Sequence, residues 1–405
     1  MTRACLLTFL FLFPAAVMMG DEWISQQSGT TEHLRGVYSF DEANGIVTGN
    51  HGTILATTDA GLTWELRASG TQEHLLSISA TEMNKIGVVG GNGTMLRSSD
   101  AGYTWIPVAT QTTEHLRGIA FSGSGPGTSV GNEGTILWTT DTGASWTPQS
   151  SGMTVILYSA AFAGSGRGIV VGSDGLILRT TDGGTQWQSV PSGTLSCLRG
   201  VCAVDGNIVY AVGENGTILK STDAGDSWVL KESGTGEWLW SVSFANDRHG
   251  VAVGTGGTIL RTRDGGKTWE AEESNTSGTL YSVSMTGEGS ATVVGENGVI
   301  LRDNADGTTS VNAVSTIPSG FNLNQNYPNP FNPSTTIGFT LAKPGYTTLT
   351  VANTLGQTVA TLVAEYLDAG GYHYQWNAGG LASGTYFYQL RSGELVSTKR
   401  LILAK

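Results

Sequence analysis

The sequence predicts an all-β chain: a seven-bladed β-propeller followed by a small Ig-like β-sandwich. Three observations predict it. A repeat of 41 residues runs through most of the chain without a break in register. The composition, 58 Gly in 405 residues with only 13% charged, suits many short strands joined by tight turns. The first and last repeats are incomplete in complementary ways.

Four columns carry the repeat. Asp59, Asp100, Asp141, Asp182, Asp223 and Asp264 are each 41 apart. Trp23, Trp64, Trp105, Trp146, Trp187, Trp228 and Trp269 keep the same step. So do Gly49, Gly90, Gly131, Gly172, Gly213, Gly254 and Gly295. Leu34, Leu75, Leu116, Leu157, Leu198, Leu239 and Leu280 form the fourth column. In the first unit, strands are expected at Gly36 to Phe40, Gly45 to Gly49, Thr53 to Thr57 and Trp64 to Ala68. The turn Gly49-Asn50-His51-Gly52 and its equivalents join the second and third, with Gly and Asn supplying positive φ. Four short strands per unit make a propeller blade.

The ends close the ring. Trp23 precedes the first inner strand, and no Asp stands one repeat before Asp59. The last unit, Leu280 to Arg302, has three strands and Ser310 where Trp is due. The Trp23 strand is therefore expected to complete that last blade as its outermost strand, which abolishes exposed edges.

Before each Trp comes a turn such as Thr57-Thr58-Asp59-Ala60-Gly61-Leu62-Thr63-Trp64. It resembles the Asp-box, or BNR repeat. An Asp there accepts backbone N–H groups and Gly takes the left-handed residue. One Asp per blade points to a different place around the ring, so these carboxylates read as structural. With Leu34-Arg35-Gly36-Val37, the Gly-Asn turn and this box, the propeller is similar to the photosystem II stability and assembly factor family. The resemblance speaks for fold and says nothing of photosynthesis.

Residues 1–20 read as a signal peptide: Arg3, an apolar run from Ala4 to Met19, then Gly20-Asp21-Glu22. No later segment could cross a membrane. The mature propeller then spans 21–303 and keeps Cys197 and Cys202, which read as two buried small residues rather than a disulfide. The net charge of −12 argues against nucleic acid. No cofactor and no metal are indicated.

Residues 304–320, rich in Thr, Ser, Ala and Gly, read as a linker. Residues 321–405 are expected to hold five strands: Thr336 to Leu341, Thr347 to Asn353, Gly371 to Trp376, Gly384 to Arg391, and Leu395 to Leu403. The run Asn326-Tyr327-Pro328-Asn329-Pro330-Phe331-Asn332-Pro333, Gly356, Gly384-Thr385-Tyr386-Phe387-Tyr388 and the terminal Lys399-Arg400-Leu401-Ile402-Leu403 resemble the type A sorting domain of the type IX secretion system. The resemblance implies passage through the periplasm and across the outer membrane. It also implies removal of the domain by a surface sortase, and release or surface attachment of the cargo. The secretion machinery and that sortase are the partners it implies.

A ligand is expected at the mouth formed by the loops entering the inner strands. There the column after Leu34 is mixed: Arg35, Leu76, Arg117, Tyr158, Arg199, Trp240 and Tyr281. Arg35, Arg117 and Arg199 stand on alternate blades and suit a carboxylate, phosphate or peptide C-terminus. Tyr158, Trp240, Tyr281 and the neighbouring Trp238 add flat apolar surface. The alternative is that each Arg lies along its blade and pairs with a nearby Glu. Repeated Glu-His pairs (Glu32-His33, Glu73-His74, Glu114-His115) read as copied repeats rather than metal ligands.

The favoured function is a secreted or surface-bound, non-catalytic binding propeller whose partner is a protein, peptide or glycan. One alternative is a sialidase-like glycoside hydrolase, which needs a Tyr paired with a Glu and an acid. Blades of equal length offer no irregular loop on which to build such a site. The other alternative is a structural component of a surface layer.

Overall fold

The computed structural model describes residues 23–303 and 321–404, except 124, 165, 287–289, 324, 327–328, 344, 368–369 and 394. The expected signal peptide, the linker, Tyr327 and Pro328 lie outside the described residues. The chain divides into two compact units, Met1–Thr309 and Ser310–Lys405.

The described part of the first unit forms seven four-stranded antiparallel sheets. In the first blade the strands are Leu34–Ser39, Gly45–Gly49, Ile54–Thr57 and Glu65–Leu66. Each lies within two residues of expectation, and the inner strand begins at the Leu column itself. All seven residues of that column are fully buried; burying one Leu contributes about 1.5–3 kcal/mol. The seventh blade has the order Trp23–Gln26, Ile300–Asp303, Ser290–Gly295, Leu280–Thr286. The N-terminal strand thus closes the ring, with Trp23 opposite Asp303.

The turn between second and third strands differs in detail from expectation. Its left-handed residues are the third and fourth, His51 (φ 50°) and Gly52 (φ 72°) in the first blade. Glu133 and Asp174 take the same place in later blades, so it is not reserved for Gly or Asn. Gly52 is constrained twice, because a Cβ there would fall 2.1 Å from the Thr71 carbonyl oxygen of the next loop. Its N–H donates to Glu73 O at 2.8 Å, and Gly93, Gly134 and Gly216 dock in the same way on the blade that follows.

The second unit holds two sheets. Asn322–Leu323, Ser334–Leu341 and Gly370–Asn377 form one. The other has the order Thr358–Leu367, Gly345–Ala352, Gly384–Ser392, Leu395–Leu403. Phe331, Phe339, Leu349, Tyr388, Leu390 and Leu401 are among the buried residues between them. The strand Thr358–Leu367 was not expected. Its ladder with Gly345–Ala352 shifts register at Leu349/Thr350 and again at Val351/Ala352. Such shifts break the two-residue alternation by which a strand is read.

Candidate functional site

In every blade the ladder between the first two strands skips one residue. The break falls between Leu34 and Gly36, and at the equivalent place in the other six. The skipped residues are Arg35, Leu76, Arg117, Tyr158, Arg199, Trp240 and Tyr281. The mixed column of the sequence is therefore a ring of seven β-bulges, a device that re-aims a side chain. All seven line one central cavity of about 180 Å³.

The next column explains how the blades pack so closely here. It holds Gly36, Gly118 and Gly200 behind the three arginines and Ser77, Ser159, Ser241 and Ser282 elsewhere. A Cβ on Gly200 would lie 2.8 Å from Trp240 O and 3.0 Å from Ser241 Cα. Where Ser stands instead, its hydroxyl can bridge blades: Val283 N–H donates to Ser241 Oγ and Val37 N–H to Ser282 Oγ, both at 3.3 Å.

The three arginines have different partners. Arg35 Nε donates to Asn50 Oδ1 at 3.1 Å, and Arg117 Nε to Asn132 Oδ1 at 2.7 Å. Arg199 Nη2 pairs with Glu214 Oε1 at 2.7 Å. The reading in which each Arg is neutralised by a Glu holds for Arg199 and not for the other two. These partners stand 15 residues after the bulge. That column was legible as a second mixed column: Asn50, Gly91, Asn132, Ser173, Glu214, Thr255, Glu296. Its long polar members stand in the blades whose bulge residue is Arg, or is Tyr281.

Aromatic rings fill the space between the charges. Arg35 lies 4.0 Å from the Tyr281 ring centroid. Arg199 lies 4.2 Å from Tyr158, 4.8 Å from Trp240 and 5.3 Å from Trp238. Trp240 meets Tyr281 edge-on at 5.5 Å. Burial, then the nearby Arg199 and Arg35 charges, pull the Arg117 guanidinium below its ordinary value; it remains protonated at neutral pH. Tyr281 donates its hydroxyl to Glu296 Oε1 at 3.0 Å. Burial pushes the Tyr281 phenol up. Burial also acts to raise Glu296, but hydrogen bonds, that of Tyr281 first, hold its carboxyl below the usual range.

On the rim, the histidines serve the backbone. His33, His74 and His115 accept at Nδ1 from the N–H of Asn297, His51 and Asn92, at 3.1, 3.2 and 3.2 Å. Glu32 pairs with His51 at 2.8 Å, and Glu73 receives the Asn92 amide at 3.0 Å. The three histidines thus tie the turn of the preceding blade to their own, and Glu32 and Glu73 hold the turns of their own blades.

The Asp-boxes lie where the third strand ends, at the far end from this mouth. Asp223 Oδ1 accepts from Ser221 Oγ at 2.7 Å and Ser227 N–H at 2.9 Å, and Oδ2 from Ser227 Oγ at 2.6 Å. The first blade repeats the pattern at Asp59. The seventh blade has Asp303 in place of the first Ser or Thr of the box. Arg261, on the sixth blade, pairs with Asp303 and, at 2.7 Å, with Glu272. Trp23 Nε1 donates to the same Glu272 at 3.0 Å. Cys197 and Cys202 are free and half-buried rather than buried.

In the second unit the two halves of the sorting motif are one structure. Asn329 Oδ1 accepts from Ile402 N–H at 2.9 Å, and its amide donates to Arg400 O at 3.3 Å. Phe331 exchanges backbone bonds with Ile402 and Ala404, both at 3.0 Å. Asn326 is buried: its N–H donates to Tyr388 Oη at 2.8 Å, its amide to Thr335 Oγ1 at 2.9 Å, and its Oδ1 accepts from Gln325 Nε2 at 2.8 Å. Pro330, Asn332 and Arg400 are exposed, and Pro333 and Lys399 half-buried.

Residues 104–231 and 231–318 match the family described as photosynthesis system II assembly factor YCF48. Residues 325–404 match the secretion system C-terminal sorting domain. No curated protein matches the chain. Among solved structures, YCF48 from Cyanidioschyzon merolae is 23% identical, with a TM-score of 0.58, over 70% of this chain and 98% of that one. A YCF48 bound to D1 peptide is 21% identical, TM-score 0.61, over 73% and 100%. PorZ, a surface component of the type-IX secretion system of Porphyromonas gingivalis, is 14% identical, TM-score 0.53, over 97% and 61%. These likenesses share the propeller fold.

Proposed function

Because this chain belongs to the photosynthesis system II assembly factor YCF48 family and carries a secretion system C-terminal sorting domain, we propose that it is an exported, non-catalytic propeller that binds an anionic peptide at the bulge-lined mouth. The carrying observation is the ring of bulges: seven side chains, three of them Arg, turned onto one cavity. A pre-formed concave site with a few placed polar groups is what small-ligand recognition requires. A related propeller is described as bound to a peptide, which supports a peptide over a glycan. Arg35, Arg117 and Arg199 are the residues proposed to receive the anion. Tyr158, Trp238, Trp240 and Tyr281 would line its flanks.

Export would follow the type IX route, through the periplasm to the surface or the medium. The secretion machinery and its sortase would engage the second unit. Binding of a peptide array by the full exported chain, lost in an Arg35→Ala/Arg117→Ala/Arg199→Ala variant, tests the mouth. Retention of a Lys399→Ala/Arg400→Ala variant in the periplasm tests the route.

One observation favours a second reading. Tyr281 and Glu296 form the Tyr–Glu pair that a sialidase-like hydrolase would use. The other carboxylate of that column, Glu214, is held by Arg199. Release of sugar from a sialoside, abolished by Tyr281→Phe, would establish it.

A further inference from the structure

The mouth is divided in two. On the first and third blades, Arg35 and Arg117 are hydrogen-bonded to neutral amides, Asn50 and Asn132. Neither makes an ion pair among the described residues. On the fifth blade, Arg199 is only 13% exposed and sits against Glu214, itself 18% exposed, so its charge is cancelled locally. Among the residues that line the cavity, Arg35 and Arg117 are therefore the cations not paired with a carboxylate, and the ionised Glu296 stands beside Arg35 across the Tyr281 ring. The choice of Asn or Glu at the paired position sets this.

The other half is flat and apolar. Arg199, neutralised, acts as a plate among Tyr158, Trp240 and Trp238, all within 5.3 Å. Trp238 is 40% exposed, a large apolar side chain left on the rim. Its backbone is fixed, since Trp238 N–H donates to Thr255 Oγ1 at 3.0 Å. Within this half, Trp240 Nε1 and Arg199 Nε are buried without a hydrogen-bond partner, so the plate meets a ligand through its ring faces and not through these donors. The cavity of about 180 Å³ has room for one side chain, not a folded loop.

Resting on the reading of this mouth as a peptide site, we infer that it recognises two features of one extended peptide: a carboxylate held by Arg35 and Arg117, and an adjacent aromatic side chain stacked against Trp238 and Trp240. The carboxylate can come from an acidic side chain or from a chain end; the chemistry at the arginines is the same.

The test uses the full exported chain and short, dye-labelled, glycine-based peptides read by fluorescence anisotropy. One carries Asp beside Phe, one Asp alone, one Phe alone, and one neither. A fifth carries Phe beside a free C-terminal carboxylate, with no Asp. A carboxylate-plus-Phe peptide is expected to bind about ten-fold tighter than either single-feature peptide, the increment of a good aromatic contact. Arg35→Gln/Arg117→Gln should erase the preference for the carboxylate and keep that for Phe. Trp238→Ala, at an exposed position, should do the reverse. Whichever carboxylate placement binds names its source. Carboxylate peptides binding equally with and without Phe would overturn the two-feature proposal while leaving a peptide site intact. Failure of every peptide to bind would overturn both.

Discussion

The Tyr281 hydroxyl lies 3.0 Å from Glu296 Oε1, with the Arg35 guanidinium stacked 4.0 Å from the same ring. Burial keeps the phenol protonated at neutral pH, and its hydrogen bond keeps Glu296 ionised. The hydroxyl thus occupies one oxygen of a carboxylate that stays ionised beside the mouth. Tyr281→Phe is expected to weaken carboxylate-peptide binding by roughly three-fold, the worth of one modest hydrogen bond. Neither protein is expected to release methylumbelliferone from its sialoside. A fluorimeter trace showing release by the wild type alone would reverse that conclusion.

The Asp-boxes predict an acid limit. Asp223 is lowered to about 2, chiefly by the Ser227 hydroxyl, and Asp264 to about 2, chiefly by the Thr268 N–H. Burial works against the shift in Asp141, where Ser145 and Thr139 still hold it at about 2. Folded values lie below unfolded ones, so between them the unfolded chain binds more protons. This stabilisation is complete above the unfolded value of about 4, and is lost as pH falls toward about 2. Melting temperatures taken from pH 6 downward should stay level to about 4 and then drop. Asp223→Asn should melt lower at pH 6 and fall less steeply in acid.

Much of this was legible in the sequence. The Asp, Trp, Gly and Leu columns located every blade, and the mismatch between Trp23 and Ser310 located the seam. The bulges were not, because a repeat preserves spacing whether or not the ladder skips a residue. Arg35 could be named as facing a mouth but not as turned there by its backbone. The pairing of Tyr281, on the inner strand, with Glu296, in the turn after the second strand, depends on that same skipped residue. Thr358–Leu367 escaped because its bulged ladder hides the alternation.

Close packing behind the mouth gives a third expectation. Gly200→Ala places a methyl 2.8 Å from Trp240 O, and backbone cannot yield as a side-chain tip can. It should cost about 1–3 kcal/mol and disturb Trp240. Urea titration, with near-ultraviolet circular dichroism for the indoles, would register both effects. An unchanged midpoint would mean that the inner strands are looser than they look.

The seam holds a buried cation. Arg261 is 2% exposed, between Asp303 and Glu272. Arg261→Met takes the Arg261 counter-charge from the buried Asp303, while Glu272 keeps Arg263 at 3.2 Å; the change should cost about 3–5 kcal/mol. A urea midpoint that hardly moves would show the pair to be dispensable.

In the second unit, Asn329→Ala removes the acceptor of Ile402 N–H. It should cost about 1–2 kcal/mol locally and speed hydrogen exchange at Ile402. If exchange there is unaltered, the motif's prolines rather than Asn329 hold the last strand.

The closing strand also has a mechanical meaning. Trp23 and Asp303 are partners, so the chain leaves both strands of the seam at the same end. A pull on the two sides would not shear the four-residue ladder but peel it, one pair at a time, from a fork at Trp23. Arg261, Glu272 and Asp303 are gathered at that fork, so the charge cluster works as the rivet at the point where a zipper would begin to open.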